Sequence, residues 1–310
     1  MLRRIIADVL FLRGIAMLSR GHCRSGRLFA RLSMGLSPPR TENLAMAARA
    51  AMRAGEHGLA VSCGEQVLDL DAGLSETRNL LLNHYLQGPN YESILADIHE
   101  ILKPRTYIEI GVSRGDSIRL ARPGTLALGV DPAPAVPFAL PGNVRVFAET
   151  SDHFFAARDV RAELGGLPLD LAFIDGMHHF DFALRDFINL ERLCARESTI
   201  LVHDCFPIDR TSAERERKSL FWSGDIWRLI VLLKKYRPDL RIDTIGTPPT
   251  GLGVIRNLDP SSRFLADNVA RLSDEFMQLD YGYLRDDRRA KLNFFPNDRE
   301  SLRRLLAQVP

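Results

Sequence analysis

The strongest constraint on the fold is a series of seven short apolar segments, each followed within two residues by glycine or a polar side chain. They are Tyr107–Ile110, Ala127–Val130, Val144–Phe147, Leu169–Ile174, Thr199–Val202, Leu240–Ile245 and Leu252–Ile255. Their length and apolar content suit buried strands. Helical patterns lead into and separate several of them, at Tyr91–Leu102, Ser117–Ala121, Phe180–Leu193 and Asp225–Tyr236. In the third pattern Ala183, Leu184, Phe187, Ile188 and Leu193 share one stripe. Strand alternating with helix predicts an α/β architecture, a doubly wound, mostly parallel seven-stranded sheet. The stretch Gly251-Leu-Gly253-Val-Ile reads as an edge strand with a bend.

An all-helical N-terminal region precedes the sheet. The chain divides by pattern into a helical region over 1–88, the α/β domain over 89–258 and a helical extension over 259–310. Phe264, Leu265, Val269 and Leu272 stand at helical spacing in that extension. The first region carries a weak repeat at an offset of 34 residues: Gly21 with Gly55, Leu36 with Leu70, Thr41 with Ser75, Glu42 with Glu76. That period and the small-residue pair over 47–70 resemble tetratricopeptide helix pairs across about 10–86, although the bulky aromatic positions of those repeats are missing. A plain helical bundle fits the same residues.

Met1 to Arg40 holds eight arginines against Asp8, and no apolar run approaches a membrane span. The short run Ile5–Leu12 contains Asp8 and no small-residue cleavage site follows it, which argues against a secretory signal. A basic amphipathic helix there suits an anionic membrane surface or a protein contact, or is simply a solvated face. The net charge of +2 excludes a strong global attraction to nucleic acid. Cys23, Cys63, Cys194 and Cys205 are scattered, with no C-x-x-C, so neither a disulfide framework nor a zinc cage is expected, and a reducing cytoplasm fits.

Ligands of doubly wound sheets sit at the carboxyl ends of the strands. The first strand runs into Glu109-Ile-Gly111-Val-Ser113-Arg-Gly115-Asp-Ser117. Its glycines allow a sharp turn and close approach of a ligand, and a helix expected to begin near Ser117 would aim its free N–H groups at the same crevice. The second strand ends at Asp131, an acid placed to accept ribose hydroxyls, or a turn aspartate before Pro132. Glu149-Thr-Ser151-Asp152 follows the third strand, and Ser151 or Asp152 fits a helix N-cap as well as a nucleoside contact. The fourth strand ends in Asp175-Gly-Met-His178-His179 and the fifth in His203-Asp204. Neighbouring strand ends would bring Asp175 and Asp204 into one crevice. A carboxylate with an imidazole three residues on suits metal-assisted deprotonation of a hydroxyl.

The segment Glu-Ile-Gly-Val-x-x-Gly-x-Ser resembles motif I of class I S-adenosylmethionine (SAM)-dependent methyltransferases, in the branch of sugar and antibiotic O-methyltransferases. Asp-x-x-His followed across a helix by His-Asp resembles the metal-dependent members of that branch. The resemblance covers about 90–256. It implies a Rossmann-like sheet and a cofactor site formed by Glu109, Gly111, Ser113, Gly115, Ser117, Asp131, Ser151, Asp152 and Asp175. It implies a divalent metal, Mg or Mn, on Asp175, His203 and Asp204, with His178 as general base. Relatives that bind magnesium tightly carry Glu-Asp where this chain has His203-Asp204. An imidazole there favours softer ions, or hydrogen-bonds the ligands instead of joining them. His179 reads as a structural or surface histidine.

The expected reaction is methyl transfer to a hydroxyl of a small molecule or glycan. Phe206–Trp222 is polar and charged, and reads either as a lid over the crevice, with Arg210, Arg215 and Arg217 available to an anionic acceptor, or as a solvated loop. Trp222 and Trp227 read as packing residues. Two other functions fit the fold. An NAD-dependent oxidoreductase needs G-x-G-x-x-G, and Ser113 and Asp116 occupy two of its glycine positions. A non-catalytic scaffold recruiting partners through the N-terminal helices would have no reason to keep Glu109, Asp131, Asp175, His178 and Asp204 together. Oligomeric state is not legible.

Overall fold

The computed structural model describes residues 2–36, 40–285 and 287–307. Residues 37–39 of the helical region and 308–310 of the C-terminal extension therefore lie outside the described residues. The chain forms two compact units. One comprises Met1–Tyr85 with Ile208–Ser212 and Lys218–Leu220; the other comprises Leu86–Pro207, Ala213–Arg217 and Phe221–Pro310.

The first unit is helical: α1 (Leu2–Ser19), α2 (Cys23–Leu36), α3 (Thr41–Arg53), α4 (His57–Leu70) and α5 (Ser75–Tyr85). Small residues let its helices approach closely. A Cβ on Gly14 would stand 3.0 Å from Ala30 N and from Gly26 O, so α1 and α2 meet almost backbone to backbone. Around that contact Phe11, Ile15 and Leu18 pack with the alanines of α3 and with Cys63 and Val67 of α4. Among the described residues no helix is long and apolar enough to cross a membrane.

The second unit is the sheet with its covering helices. Its strands are β1 (Thr106–Ile110), β2 (Leu126–Val130), β3 (Val144–Phe147), β4 (Leu169–Ile174), β5 (Cys194–His203), β6 (Arg241–Ile245), β7 (Leu252–Arg256) and β8 (Phe294–Phe295). They lie in the order β3-β2-β1-β4-β5-β7-β6-β8. The first five are parallel, β7 runs antiparallel to both β5 and β6, and β8 adds parallel to β6. This is the Rossmann-like, mostly parallel sheet expected, with one short strand more. The eighth comes from the C-terminal extension, whose expected pattern was wholly helical.

Two local expectations are corrected. The Gly251–Ile255 segment is not an edge: β7 is flanked by β5 and β6, and all five of its residues are buried. The bend precedes the strand, at Gly251 with φ +75. The helix expected from Ser117 is only a 3-10 turn, Ile118–Leu120. It stops at Leu120: Ala121 is already extended, at ψ 131, and Pro123 disfavours a return to helical backbone at Arg122.

Helices α6 (Tyr91–Leu102), α7 (Ser151–Ala157), α8 (Val160–Glu163), α9 (Phe180–Glu191) and α10 (Trp227–Tyr236) accompany the strands. Five more follow: α11 (Phe264–Asp267), α12 (Val269–Met277), α13 (Tyr281–Arg285), α14 (Arg288–Lys291) and α15 (Arg299–Ala307). Asn90 caps α6, its side-chain oxygen accepting from Ser93 N. The apolar face of α6 (Ile94, Leu95, Ile98) joins Leu302, Leu305 and Leu306 of α15 over Tyr107, Leu171 and Phe173 of the sheet. The winding direction reverses between β1 and β4, so the loops after β1, β4 and β5 open at one end of adjacent strands.

Candidate active site

The loop after β1 is held from beneath by a buried acid. Glu109 is fully buried; it accepts hydrogen bonds from Tyr107 Oη (2.6 Å) and Ser117 Oγ (2.7 Å). Burial pushes its carboxyl up to about 8, against the pull of those two hydroxyls and the Ile118 amide. The amide that the sequence assigned to the crevice is therefore turned onto Glu109, and Glu109 and Ser117 shape the loop from inside. Gly111 has φ +90, and a Cβ there would lie 2.2 Å from Asp175 O, so only glycine lets the β1 loop lie against the end of β4.

Asp131 fastens the outer part of the same loop. Its Oδ2 accepts from Val112 N (2.9 Å) and Ser113 N (2.7 Å), and its Oδ1 from Ala133 N (2.8 Å). A carboxylate has about four acceptor positions, so the half-buried Asp131 keeps one open. Ser113 is exposed, in left-handed backbone at φ +47. After β3 the N-cap is Thr150, accepting from His153 N, rather than Ser151 or Asp152. Asp152 forms a two-pronged pair with Arg185 at 3.0 Å, and the Ser151 hydroxyl hydrogen-bonds the buried Asp186.

The ends of β4 and β5 bring the chemistry together. Asp175, His178, His179, Asp186, His203 and Asp204 line one small crevice. Ligand atoms of Asp175, His178 and Asp204 all lie within 4.8 Å of one another. His178 Nδ1 is 2.6 Å from Asp204 Oδ2, yet it is buried and lacks the alignment of a hydrogen bond. Two carboxylates at adjacent strand ends, with an imidazole beside them, are a donor set that fits a divalent cation. His178 and Asp204 both hold left-handed backbone, at φ +56 and +61, a strain that surrounding contacts must maintain.

His203 stands apart from that trio. Its Nδ1 lies 2.9 Å from Asp175 Oδ1 and 3.4 Å from Asp204 Oδ2, its Nε2 lies 3.4 Å from Thr250 Oγ1, and Tyr91 packs on the ring at 4.2 Å. Both nitrogens are thus engaged, Nδ1 with the two carboxylates and Nε2 with Thr250. Burial opposes the charged form of His203, and Asp175 and Asp204 overcome it, holding its pKa well above the ordinary value. The same contest raises His178. Asp204 goes the other way: burial raises its pKa, the two imidazoles outweigh burial, and it is held far below the usual carboxylate range.

Three residues absent from the expected site hold His178 in place. Trp222 stacks on its ring at 5.0 Å with planes 22° apart, and the indole N–H is anchored on Glu214 O. Gly224 passes so close that a Cβ would meet His178 O at 1.9 Å. Asp225, fully buried, accepts from Phe180 N at the start of α9, pairs with Arg228, and donates its own N–H to His178 O. Arg215, read as free for an anionic acceptor, lies 2.7 Å from Asp181 and 3.5 Å from Asp225. In sequence Ser223-Gly224-Asp225 reads only as a helix start, and nothing in it points to a partner 45 residues upstream.

Residues 108–205 match the family model of a methyltransferase domain. That span runs from β1 to just past β5. Solved structures with a similar course include the O-methyltransferase TomG from Streptomyces achromogenes, involved in tomaymycin synthesis and in complex with SAM. It is 13% identical over 64% of this chain and 89% of that one, with a TM-score of 0.42. Another is an O-methyltransferase from Bacillus cereus in complex with SAH, 14% identical over 63% and 96% of the two chains, with a TM-score of 0.39. No curated protein matches the chain.

Proposed function

We propose that the unit built on β1–β7 is a SAM-dependent O-methyltransferase acting on a hydroxyl of a small molecule or glycan, with a divalent metal at Asp175 and Asp204 and His178 as the general base. The observation that carries this is the convergence of those three side chains, at the ends of β4 and β5, beside the glycine loop after β1. The methyltransferase-domain match over the same strands supports it.

The loop Gly111–Gly115 and the open acceptor position of Asp131 would receive the nucleoside, with Glu109 and Ser117 keeping the loop in shape. Bound SAM supplies a methyl group on a sulfonium, already reactive enough that the protein's work is alignment and proton removal. A divalent cation would lower the pKa of the acceptor hydroxyl and relieve His178 of the carboxylates' pull. With Nδ1 turned to Asp204, Nε2 of His178 is the nitrogen left to take the acceptor's proton. Asp204 fixes the ring, His203 orients Asp175, and Trp222 covers the imidazole face. The helical unit is read as a repeat module: α2 and α4 begin 34 residues apart, as do α3 and α5.

Titration with S-adenosylhomocysteine, with and without Mn²⁺ or Mg²⁺ and beside an NAD⁺ control, tests the proposal. Binding of the homocysteine compound that tightens with metal is expected. Binding indifferent to metal removes the metal site, and binding of NAD⁺ instead overturns the methyltransferase assignment.

A further inference from the structure

Helix α1 is apolar on two opposite faces. Ala7, Phe11, Gly14, Ile15 and Leu18 point into the first unit. Half a turn away Leu2, Ile5, Ile6, Val9 and Leu12 follow the i, i+3, i+4, i+7 spacing of a second stripe, and these five are 45% to 72% exposed. On α2, Leu28 and Leu32 are likewise exposed, one turn apart, beside Arg24 and Arg31. The outward stripe of α1 does nothing for the unit's own core, and contiguous exposed aliphatics of this kind mark an interaction surface.

Charge identifies the partner. The first 36 residues hold seven arginines and one acid, a formal +6. The whole chain carries +2, so the remainder carries −4, and the positive charge belongs to these two helices. Asp8 is turned to Arg40, and Arg27 to Glu56. Among the described residues no carboxylate pairs with Arg3, Arg4, Arg24 or Arg31, all exposed. Two copies of so basic a face would repel each other. Nucleic acid would leave the aliphatic stripe without a partner. A surface that takes aliphatic side chains and guanidinium groups together is the boundary of an anionic bilayer, where the apolar face enters the acyl region and arginine forks meet lipid phosphates.

We infer that α1 and α2 dock the protein on anionic lipid surfaces, with Ile5, Ile6, Val9 and Leu12 inserted and the flanking arginines at the headgroups. This stands independently of the methyltransferase proposal. Co-sedimentation of the full chain with vesicles of phosphatidylglycerol and phosphatidylcholine, against phosphatidylcholine alone, tests it. At least about tenfold tighter association with the anionic vesicles is expected, weakening as salt is raised. The double variant Ile5→Glu, Val9→Glu should lose association while keeping the parent's circular dichroism and thermal unfolding. Arg3→Gln with Arg4→Gln should reduce only the preference for anionic lipid. Failure to bind the anionic vesicles, equal binding to both kinds, or binding that survives the double glutamate variant each overturns the inference. Self-association dispersed by that variant, without vesicle binding, would assign the stripe to a second copy instead.

Discussion

Replacing Gly224 with alanine tests whether the 221–225 segment holds His178 in position. Gly224 has φ +64, a conformation costing an alanine ~1 kcal/mol. The added Cβ would also lie 1.9 Å from His178 O, and the backbone carbonyl cannot rotate away as a side chain could. The segment must move by more than an ångström, breaking the bond from Asp225 N to His178 O and that from Phe180 N to Asp225 Oδ1. At ~1 kcal/mol per hydrogen bond, the loss is ~3 kcal/mol in all. Gly165→Ala separates strain from contact, because Gly165 has φ +66 with nothing within 4 Å of its Cβ position, and should cost ~1 kcal/mol. Urea unfolding followed by circular dichroism measures both costs. Native-state fluorescence reads the site, since Trp222 and Trp227 are the only indoles and Trp222 lies against an imidazole that quenches it when charged. Gly224→Ala should brighten and red-shift the emission, and Gly165→Ala should leave it unchanged. Equal midpoints and equal spectra for the two variants would show that the segment does not hold His178.

Other expectations follow from the same geometry. Glu109 is raised from 4.5 to about 8 in the fold, so its contribution to stability is full below about 4.5 and is lost as pH rises through about 8. Relative to Glu109→Gln, the parent's Tm should therefore fall across that window, and a flat difference would mean that Glu109 is ionised in the native state. Arg237 grips Glu191 with two bonds of 2.8 Å, both side chains 4% exposed. Arg237→Leu strands a buried carboxylate and should cost ~3–5 kcal/mol in chemical unfolding, most of it recovered by adding Glu191→Leu. Asp204→Asn should abolish any Mn²⁺ enhancement of S-adenosylhomocysteine binding in calorimetry while leaving metal-free binding within about threefold. His178→Ala should lower methyl transfer at least ~100-fold in a radiolabel assay once an acceptor is found.

Much of the fold is legible locally. Runs such as Leu169–Ile174 and Val144–Phe147 carry their strand character in themselves, and the amphipathic stripe of Phe180–Leu193 carries that of α9. The Asp175, His178 and Asp204 positions are also legible, because short motifs at strand ends point to the crevice of a doubly wound sheet. What escapes local pattern is whatever depends on order in space. The burial of β7 between β5 and β6 follows from the antiparallel hairpin slotting in beside β5, and five buried residues look the same in sequence at an edge or inside it. His203 and His178 both turn Nδ1 to the Asp175 and Asp204 carboxylates, and where each ring stands beside them is a matter of strand stagger and loop backbone. Gly224 and Asp225 reach His178 only because the chain returns over β4 before entering α10. Periodicity and motif are properties of neighbouring residues and determine element type and candidate chemistry; the partners of each donor and acceptor are set by contacts tens of residues apart, which only the packed chain decides.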